Sequence, residues 1–265
     1  MRAGLRLLAA RSYASERNWI QIFTLMNTYA TDTFFNGKIR ITQDRTGYRF
    51  SIDAVLLAHF AEPRSGDKVL DLGTGCGIIP LILAYRQPQI AIYGVEVQTE
   101  LSELAVSNVR QNQLEDRITV LSTDMKLIEP SMTAGPVDLV VCNPPFRKQG
   151  SGRINPDAQR AVARHEIKVN LGDIIQTSRR MLRAAGRLVL IYTAGRLTDI
   201  LCRMRTEGIE PKFLRMIHSR QDSEAALILI EGVKGGRPDL KIVPPLIIYD
   251  KKNHYTEAVE SMFRP

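Results

Sequence analysis

The residues Asn143-Pro-Pro-Phe146 follow a short apolar run, Val137–Cys142, that predicts a buried strand. The Asn143 side-chain carbonyl and the Pro144 backbone carbonyl could each accept one N–H of a ring-conjugated amino group, which would free the nitrogen lone pair for a methyl donor. The two prolines stiffen such a loop, and Phe146 offers a flat face on which a flipped base can stack. This pattern predicts methylation of an exocyclic amino nitrogen, achieved by positioning and electrostatics.

A glycine-rich run, Val69–Gly77, ends another predicted strand and precedes a predicted helix. Its glycines, Gly73, Gly75 and Gly77, allow a tight turn and a close approach of the backbone to a ligand. The third glycine comes one residue earlier than in the G-x-G-x-x-G pattern of dinucleotide sites. Asp71 precedes the first glycine, where it would repel a pyrophosphate and attract a cationic amino-acid group. The run therefore favours S-adenosylmethionine over NAD as the cofactor.

Two acidic residues follow the next two predicted strands. Glu96 could accept hydrogen bonds from both ribose hydroxyls, a feature that does not distinguish NAD from S-adenosylmethionine. Asp124, with Met125 beside it, could receive an adenine amino group. The predicted cofactor-binding residues are Asp71, Gly73, Thr74, Gly75, Gly77, Glu96, Val97, Asp124, Met125 and Asn143.

The segment from Arg147 to Lys168 carries six basic side chains against two acidic ones. Because it adjoins the predicted base pocket, it is the candidate for contacts with phosphates, and the alternative is a solvated loop without a ligand. The predicted catalytic residues are Asn143, Pro144, Pro145 and Phe146. The predicted substrate-binding residues are Phe146, Arg147, Lys148, Arg160 and Arg164.

The chain has 265 residues, a formal charge of +8 and a pI near 9.5, a balance that favours polyanionic partners. Its cysteines, Cys76, Cys142 and Cys202, are odd in number and far apart, without the spacing of a zinc site. They predict a reduced, cytoplasmic protein without metal, and all three are interpreted as small core residues. The apolar runs are too short to cross a bilayer, so no membrane partner is expected.

Short apolar strands alternate with helical stretches from Lys68 onward. This order predicts an α/β fold with a doubly wound, seven-stranded, mostly parallel sheet. The last two core strands, Lys212–His218 and Ala225–Ile230, are joined by a turn too short for a helix, so the last strand is expected to be antiparallel. The segment Gly232–Pro245 is interpreted as a Gly/Pro-rich stretch, and Tyr255–Phe263 as a short terminal helix.

Residues 1–25 contain four arginines and one acidic residue, a net charge of +3. Such a composition is typical of a mitochondrial presequence, but an upstream start codon, with Met26 as the true start, is the preferred interpretation. We expect residues 26–265 to form one domain and the protein to be a monomer.

Taken together, the glycine-rich run, Glu96, Asp124 and the NPPF motif resemble class I methyltransferases of amino groups. From about Phe34 onward the chain is similar to the tRNA(Val) adenine-37 N6-methyltransferase family. Three further segments carry this resemblance, namely Arg45–Leu57, Arg160–Glu166 and Tyr255–Ala258.

The resemblance implies a Rossmann-like class I fold, S-adenosylmethionine as cofactor and methyl transfer to adenine N6 beside the anticodon of tRNA. It also implies that Phe50 and Asp53 close the cofactor pocket. Some relatives have Tyr where this chain has Phe146, so the phenol's hydrogen bond is lost here. The alternatives left open are a protein glutamine methyltransferase, a ribosomal RNA amino-methyltransferase and a nucleic-acid-binding protein with a vestigial methylation site.

Overall fold

The computed structural model describes residues 29–44, 51–145 and 170–264. Apolar strands bounded by glycine and polar turns alternate with helices, as the sequence periodicity predicts. The strands are β1 (Tyr29–Phe34), β2 (Ile39–Asp44), β3 (Lys68–Leu72), β4 (Ala91–Glu96), β5 (Ile118–Ser122), β6 (Val137–Cys142), β7 (Leu182–Thr193), β8 (Ile209–His218), β9 (Ala225–Lys234) and β10 (Lys241–Ile247). The helices are α1 (Ile52–Phe60), α2 (Ile78–Arg86), α3 (Thr99–Gln111), α4 (Leu171–Met181), α5 (Leu197–Thr206) and α6 (Glu257–Glu260).

The main sheet has the strand order β10-β8-β9-β7-β6-β3-β4-β5. Strands β3 to β7 run parallel, and β9 is antiparallel to both β7 and β8, which confirms the predicted α/β sheet with an antiparallel final core strand. All the parallel strands direct their carboxyl ends to one edge, where ligands bind in open sheets of this type.

An eighth strand, β10, joins this sheet parallel to β8. It includes Pro244 and Pro245, and part of it falls in the segment interpreted above as a Gly/Pro-rich stretch. Proline is tolerated here because β10 is an edge strand whose register shifts between Val243 and Leu246. The main sheet of the described residues therefore has eight strands, one more than the seven predicted.

Alternate residues of the central strands face two separate apolar cores. On one face α1, α2 and α3 pack with Val69, Leu139 and Val141. On the other face α4 and α5 pack with Leu70 and Cys142. This alternation has the period of two expected for strands that are buried on both sides.

The hairpin β1–β2 forms a second, two-stranded antiparallel sheet. Its apolar residues Phe34, Ile39 and Ile41 belong to the same core as α1, α2 and α3. Phe35, at the turn, is buried and stacks on Tyr85 of α2 with ring centroids 4.5 Å apart. This hairpin was not predicted from the sequence.

Candidate active site

The glycine-rich run forms a tight loop between β3 and α2. Gly73, Gly75 and Gly77 have φ angles of 76°, 57° and 87°, in the left-handed region that favours glycine. The N–H groups of Gly73 and Thr74 both donate to the Val95 carbonyl at 2.9 Å, which ties the loop to β4. The loop thus presents its backbone at the carboxyl edge of the sheet.

Asp71 is the most unusual residue of the site, because it is completely buried and neither carboxylate oxygen has a hydrogen-bond partner among the described residues. The hydroxyl of the buried Thr74 also lacks a partner of standard hydrogen-bond geometry there, although it lies near enough to Asp71 to favour the charged carboxylate. Burial raises the pKa of Asp71 from 3.8 to about 7; the Thr74 hydroxyl opposes this rise, and the nearby Glu96 carboxylate reinforces it. An unpaired buried carboxylate is costly, and a cationic ligand group would supply the missing partner.

Glu96, the last residue of β4, is held in a fixed orientation. Its carboxylate accepts the N–H of Gly75 at 3.0 Å and that of Gln98 at 2.9 Å, one on each oxygen. Each oxygen retains capacity for a second hydrogen bond, so both could still accept a ribose hydroxyl. Val97, the next residue, has 43% of its surface exposed and borders the same edge.

Asp124 and Met125 lie at the carboxyl end of β5. Asp124 caps the short 3₁₀ turn Met125–Leu127 and accepts the Lys126 N–H at 2.9 Å. Met125 is buried, and its Cε would lie 4.0 Å from a Cβ placed on Gly73, so it is close to the glycine loop. These positions suit the adenine end of a cofactor bound along the loop.

Two residues of α4 that were not predicted as part of the site hold that turn in place. Thr177 donates to the Met125 carbonyl at 3.3 Å, and Arg180 donates to the Ile128 carbonyl at 3.0 Å. Nothing in the local pattern identified them, since they are ordinary positions of an amphipathic helix and their partners lie about 50 residues away in sequence.

The Asn143 motif begins immediately beside the glycine loop. Strands β3 and β6 are neighbours, and Leu72 pairs with Cys142 in their register, so Gly73 and Asn143 are the next residues on adjacent strands. Asn143 is half-buried, Pro144 is buried and Pro145 is exposed. The structure therefore brings the first part of each motif to the same point of the sheet edge.

Several predicted site residues lie outside the described residues, so their position stays a prediction. They are Phe50, Phe146, Arg147, Lys148, Arg160 and Arg164. Asp53, by contrast, lies in α1 with 3% of its surface exposed.

The thiols of Cys76 and Cys142 are buried, as predicted for small core residues, whereas that of Cys202 is not. Cys142 is fully buried, and its Sγ donates to the Leu72 carbonyl at 3.1 Å, while burial raises its thiol pKa well above the usual range. Burial likewise raises the pKa of Cys76 to about 12. Cys202 is exposed on α5, so its interpretation as a core residue was wrong, because the buried stripe of that helix runs through Ile200 and Met204 instead.

Within residues 29–44, 51–145 and 170–264, no group of three or more His, Cys, Asp or Glu side chains is arranged to hold a metal ion. Among the helices of the same ranges, none combines the length and the apolar character needed to cross a membrane.

Comparison with known proteins places this site in a family. Residues 52–198, more than half of the chain, match the methyltransferase small domain family. The tRNA1(Val) (adenine(37)-N6)-methyltransferase of Porphyromonas gingivalis is 33% identical over 207 residues, with 76% of this chain and 80% of that protein covered. The protein of the same name from Haemophilus influenzae is 28% identical, with 83% of this chain and 92% of that protein covered.

Among solved structures, a predicted O-methyltransferase from Agrobacterium tumefaciens superposes with a TM-score of 0.63 at 24% sequence identity. The alignment covers 79% of this chain and 94% of that one, and it supports the fold alone. The family itself is shown by the match to residues 52–198 and by the 33% identity to the Porphyromonas protein. The chain therefore belongs to the methyltransferase small domain family and, within it, to the tRNA1(Val) (adenine(37)-N6)-methyltransferases.

Proposed function

We propose that this protein transfers a methyl group from S-adenosylmethionine to the N6 amino group of an adenine in tRNA, beside the anticodon of tRNA(Val). The observation that carries the proposal is the pairing of Leu72 with Cys142, which makes the glycine loop and Asn143 neighbours at the carboxyl ends of β3 and β6. A donor held by the loop and an amino group held by Asn143 would then meet at one place.

The residues present fit the amino-acid end of this cofactor. Asp71 offers a buried carboxylate without a partner in the described structure, which suits an ammonium group. Glu96 offers two oriented oxygens to the ribose hydroxyls, and Asp124 and Met125 would face the adenine. When bound, S-adenosylmethionine supplies an electrophilic methyl group.

The protein's part in the reaction is to hold the acceptor nitrogen. The Asn143 amide oxygen and the Pro144 carbonyl would each accept one N–H of the adenine amino group, and both residues directly follow β6, which anchors their backbone. Localising the nitrogen lone pair in this way lowers the barrier to attack on the methyl group. Phe146 would stack on the base. No general base is needed, since the methylated nitrogen readily loses its proton to solvent.

A tRNA substrate is supported by the names of the relatives and by the charge of +8 on the chain. We assign the phosphate contacts to the basic segment that contains Arg147, Lys148, Arg160 and Arg164. The proposal includes a monomer of one domain that acts in the cytoplasm. A protein glutamine methyltransferase would use the same asparagine chemistry, but it gives no reason for the basic segment.

The test is methyl transfer from labelled S-adenosylmethionine to unmodified tRNA, followed by mass spectrometry of the nucleosides. N6-methyladenosine in tRNA(Val), mapped to the base beside the anticodon, is the expected product. Label in protein or in ribosomal RNA alone would refute the tRNA substrate and leave amino-group methylation standing. Absence of label in all three, with properly folded protein, would refute the enzymatic function itself.

A further inference from the structure

The side chain of Asn108 connects three parts of the molecule that are distant in sequence. It lies on α3 and is completely buried. Its Oδ1 accepts the Thr42 N–H of β2 at 2.8 Å, and its Nδ2 donates to the Thr42 carbonyl at 2.9 Å. The same Nδ2 donates to the Cys76 carbonyl of the glycine loop, also at 2.9 Å. One amide thereby joins the hairpin, the helix and the cofactor loop.

Asn112, one helical turn later, repeats the hairpin contacts but not the loop contact. Its Oδ1 accepts the Arg40 N–H at 2.9 Å, and its Nδ2 donates to the Arg40 carbonyl at 2.7 Å. The two asparagine amides thus bind the free edge of β2 as a neighbouring strand would. Of the two asparagines, only Asn108 also binds the glycine loop. Substituting each in turn therefore separates the effect of docking the hairpin from the effect of supporting the loop.

The loop depends on α3 at this point in a second way. A Cβ placed on Gly77 would lie 3.3 Å from the Cβ of Ala105, so the helix and the loop are packed without spare room. Ala105 and Asn108 are three residues apart and face the same side of the helix. On the other side of Cys76, the N–H of Gly75 donates to Glu96. The backbone around Cys76 is therefore held between Asn108 of α3 on one side and Glu96, the residue expected to bind the ribose, on the other.

We propose that Asn108 is a positioning residue for the cofactor loop and that its bond to the Cys76 carbonyl sets the affinity for S-adenosylmethionine. The inference rests on the proposed function, since it names a further determinant of the same site. Asn108 itself touches no substrate. It acts by holding the backbone from Gly75 to Gly77 in the geometry that presents Gly75 to Glu96.

The experiment compares Asn108→Ala with Asn112→Ala in the full chain. Each substitution removes two hydrogen bonds to β2 and one further bond. Asn108→Ala frees the Cys76 carbonyl, whereas Asn112→Ala frees the Asn108 carbonyl within α3, to which the Asn112 Nδ2 donates at 2.7 Å. The measurements are the dissociation constant for S-adenosylmethionine by titration calorimetry, the melting temperature and hydrogen exchange of the Gly75–Ile78 amides in the protein without cofactor. If Asn108→Ala is too unstable to study, the pair Asn108→Ser and Asn112→Ser gives the same comparison.

We expect Asn108→Ala to weaken cofactor binding about tenfold and to speed exchange in the glycine loop, with Asn112→Ala within about threefold of wild type. The KM for S-adenosylmethionine should rise, and kcat at saturating cofactor should stay within about threefold. Equal effects of the two substitutions on the dissociation constant would reduce Asn108 to a structural role and overturn the inference alone. A wild-type protein that does not bind S-adenosylmethionine would overturn the proposed function as well.

Discussion

Replacing Asp71 with Asn should make the protein without cofactor more stable while it destroys the cofactor site. Asp71 is completely buried without a partner among the described residues, and its pKa is raised from 3.8 to about 7. Between pH 3.8 and about 7, Asp71 is therefore protonated in the folded state and ionised in the unfolded state. Stability is therefore lost as the pH rises from about 4 to about 7, and it stays reduced above pH 7.

The loss of folding free energy follows from the same difference in the pKa of Asp71. The difference between 3.8 and about 7 corresponds to about 4 kcal/mol at pH 8. A buried Asn amide without full hydrogen bonding would cost about 1–3 kcal/mol at any pH. Asp71→Asn should thus gain about 1–3 kcal/mol at pH 8, and this gain should be smaller by about 2–3 kcal/mol at pH 5.

Urea unfolding of the protein without cofactor, at pH 5 and at pH 8, measures this difference directly. Asp116→Asn, at an exposed position, is the matched control and should change stability equally little at both pH values. Calorimetry should show a loss of about 100-fold or more in affinity for S-adenosylmethionine, because the ammonium group loses its carboxylate. A stability difference between Asp71→Asn and wild type that is constant from pH 5 to pH 8 would refute the reasoning.

Other perturbations test the remaining parts of the site and the core. Asn143→Ala should lower kcat by about 10²–10³ and largely spare the dissociation constant for S-adenosylmethionine in calorimetry, since the amide contacts mainly the acceptor; loss of both in a folded protein would contradict that division. Neutralising Arg147, Lys148 and Arg164 should weaken tRNA binding and reduce its salt slope by about 0.7–0.9 per lost phosphate contact, whereas an unchanged slope would place the RNA elsewhere. Burial, with the Arg86 charge, lowers the pKa of His59 from 6.5 to about 4. The unfolded state therefore binds a proton that the folded state does not, and the free energy of unfolding should fall as the pH falls from about 6.5 to about 4. With allowance for its partial exposure this loss is about 1–2 kcal/mol, and His59→Gln should remove it in acid titrations followed by circular dichroism.

Much of the main sheet could be predicted from the sequence, because its signals are local. Strand Val137–Cys142 has the bounds that the apolar pattern predicts, and strands alternate with helices from Lys68 onward as expected. The chemical motifs were also recognisable, since glycine spacing and Asn143-Pro-Pro are properties of a few consecutive residues. A single sequence therefore contained the order of elements, the cofactor class and the amino-group chemistry.

Bounds that depend on neighbouring strands were less predictable. Strand β9 continues past the predicted Ile230 to Lys234, because pairing with β7 and β8 extends it. Proline is unsuited to a central strand, so the stretch that contains Pro244 and Pro245 can form β10 only because it lies at the edge of the sheet.

Contacts between distant residues were decided only by the tertiary structure. The place of β6 beside β3 brings Asn143 to the glycine loop although about 70 residues separate them in sequence. Asp71 has a raised pKa because the packed core buries it, and its neighbours in sequence do not reveal this burial. In the sequence alone, Asn108 is an ordinary polar residue of an amphipathic helix. Its bonds to Thr42 and Cys76 arise only because folding brings the hairpin and the glycine loop to the same face of α3.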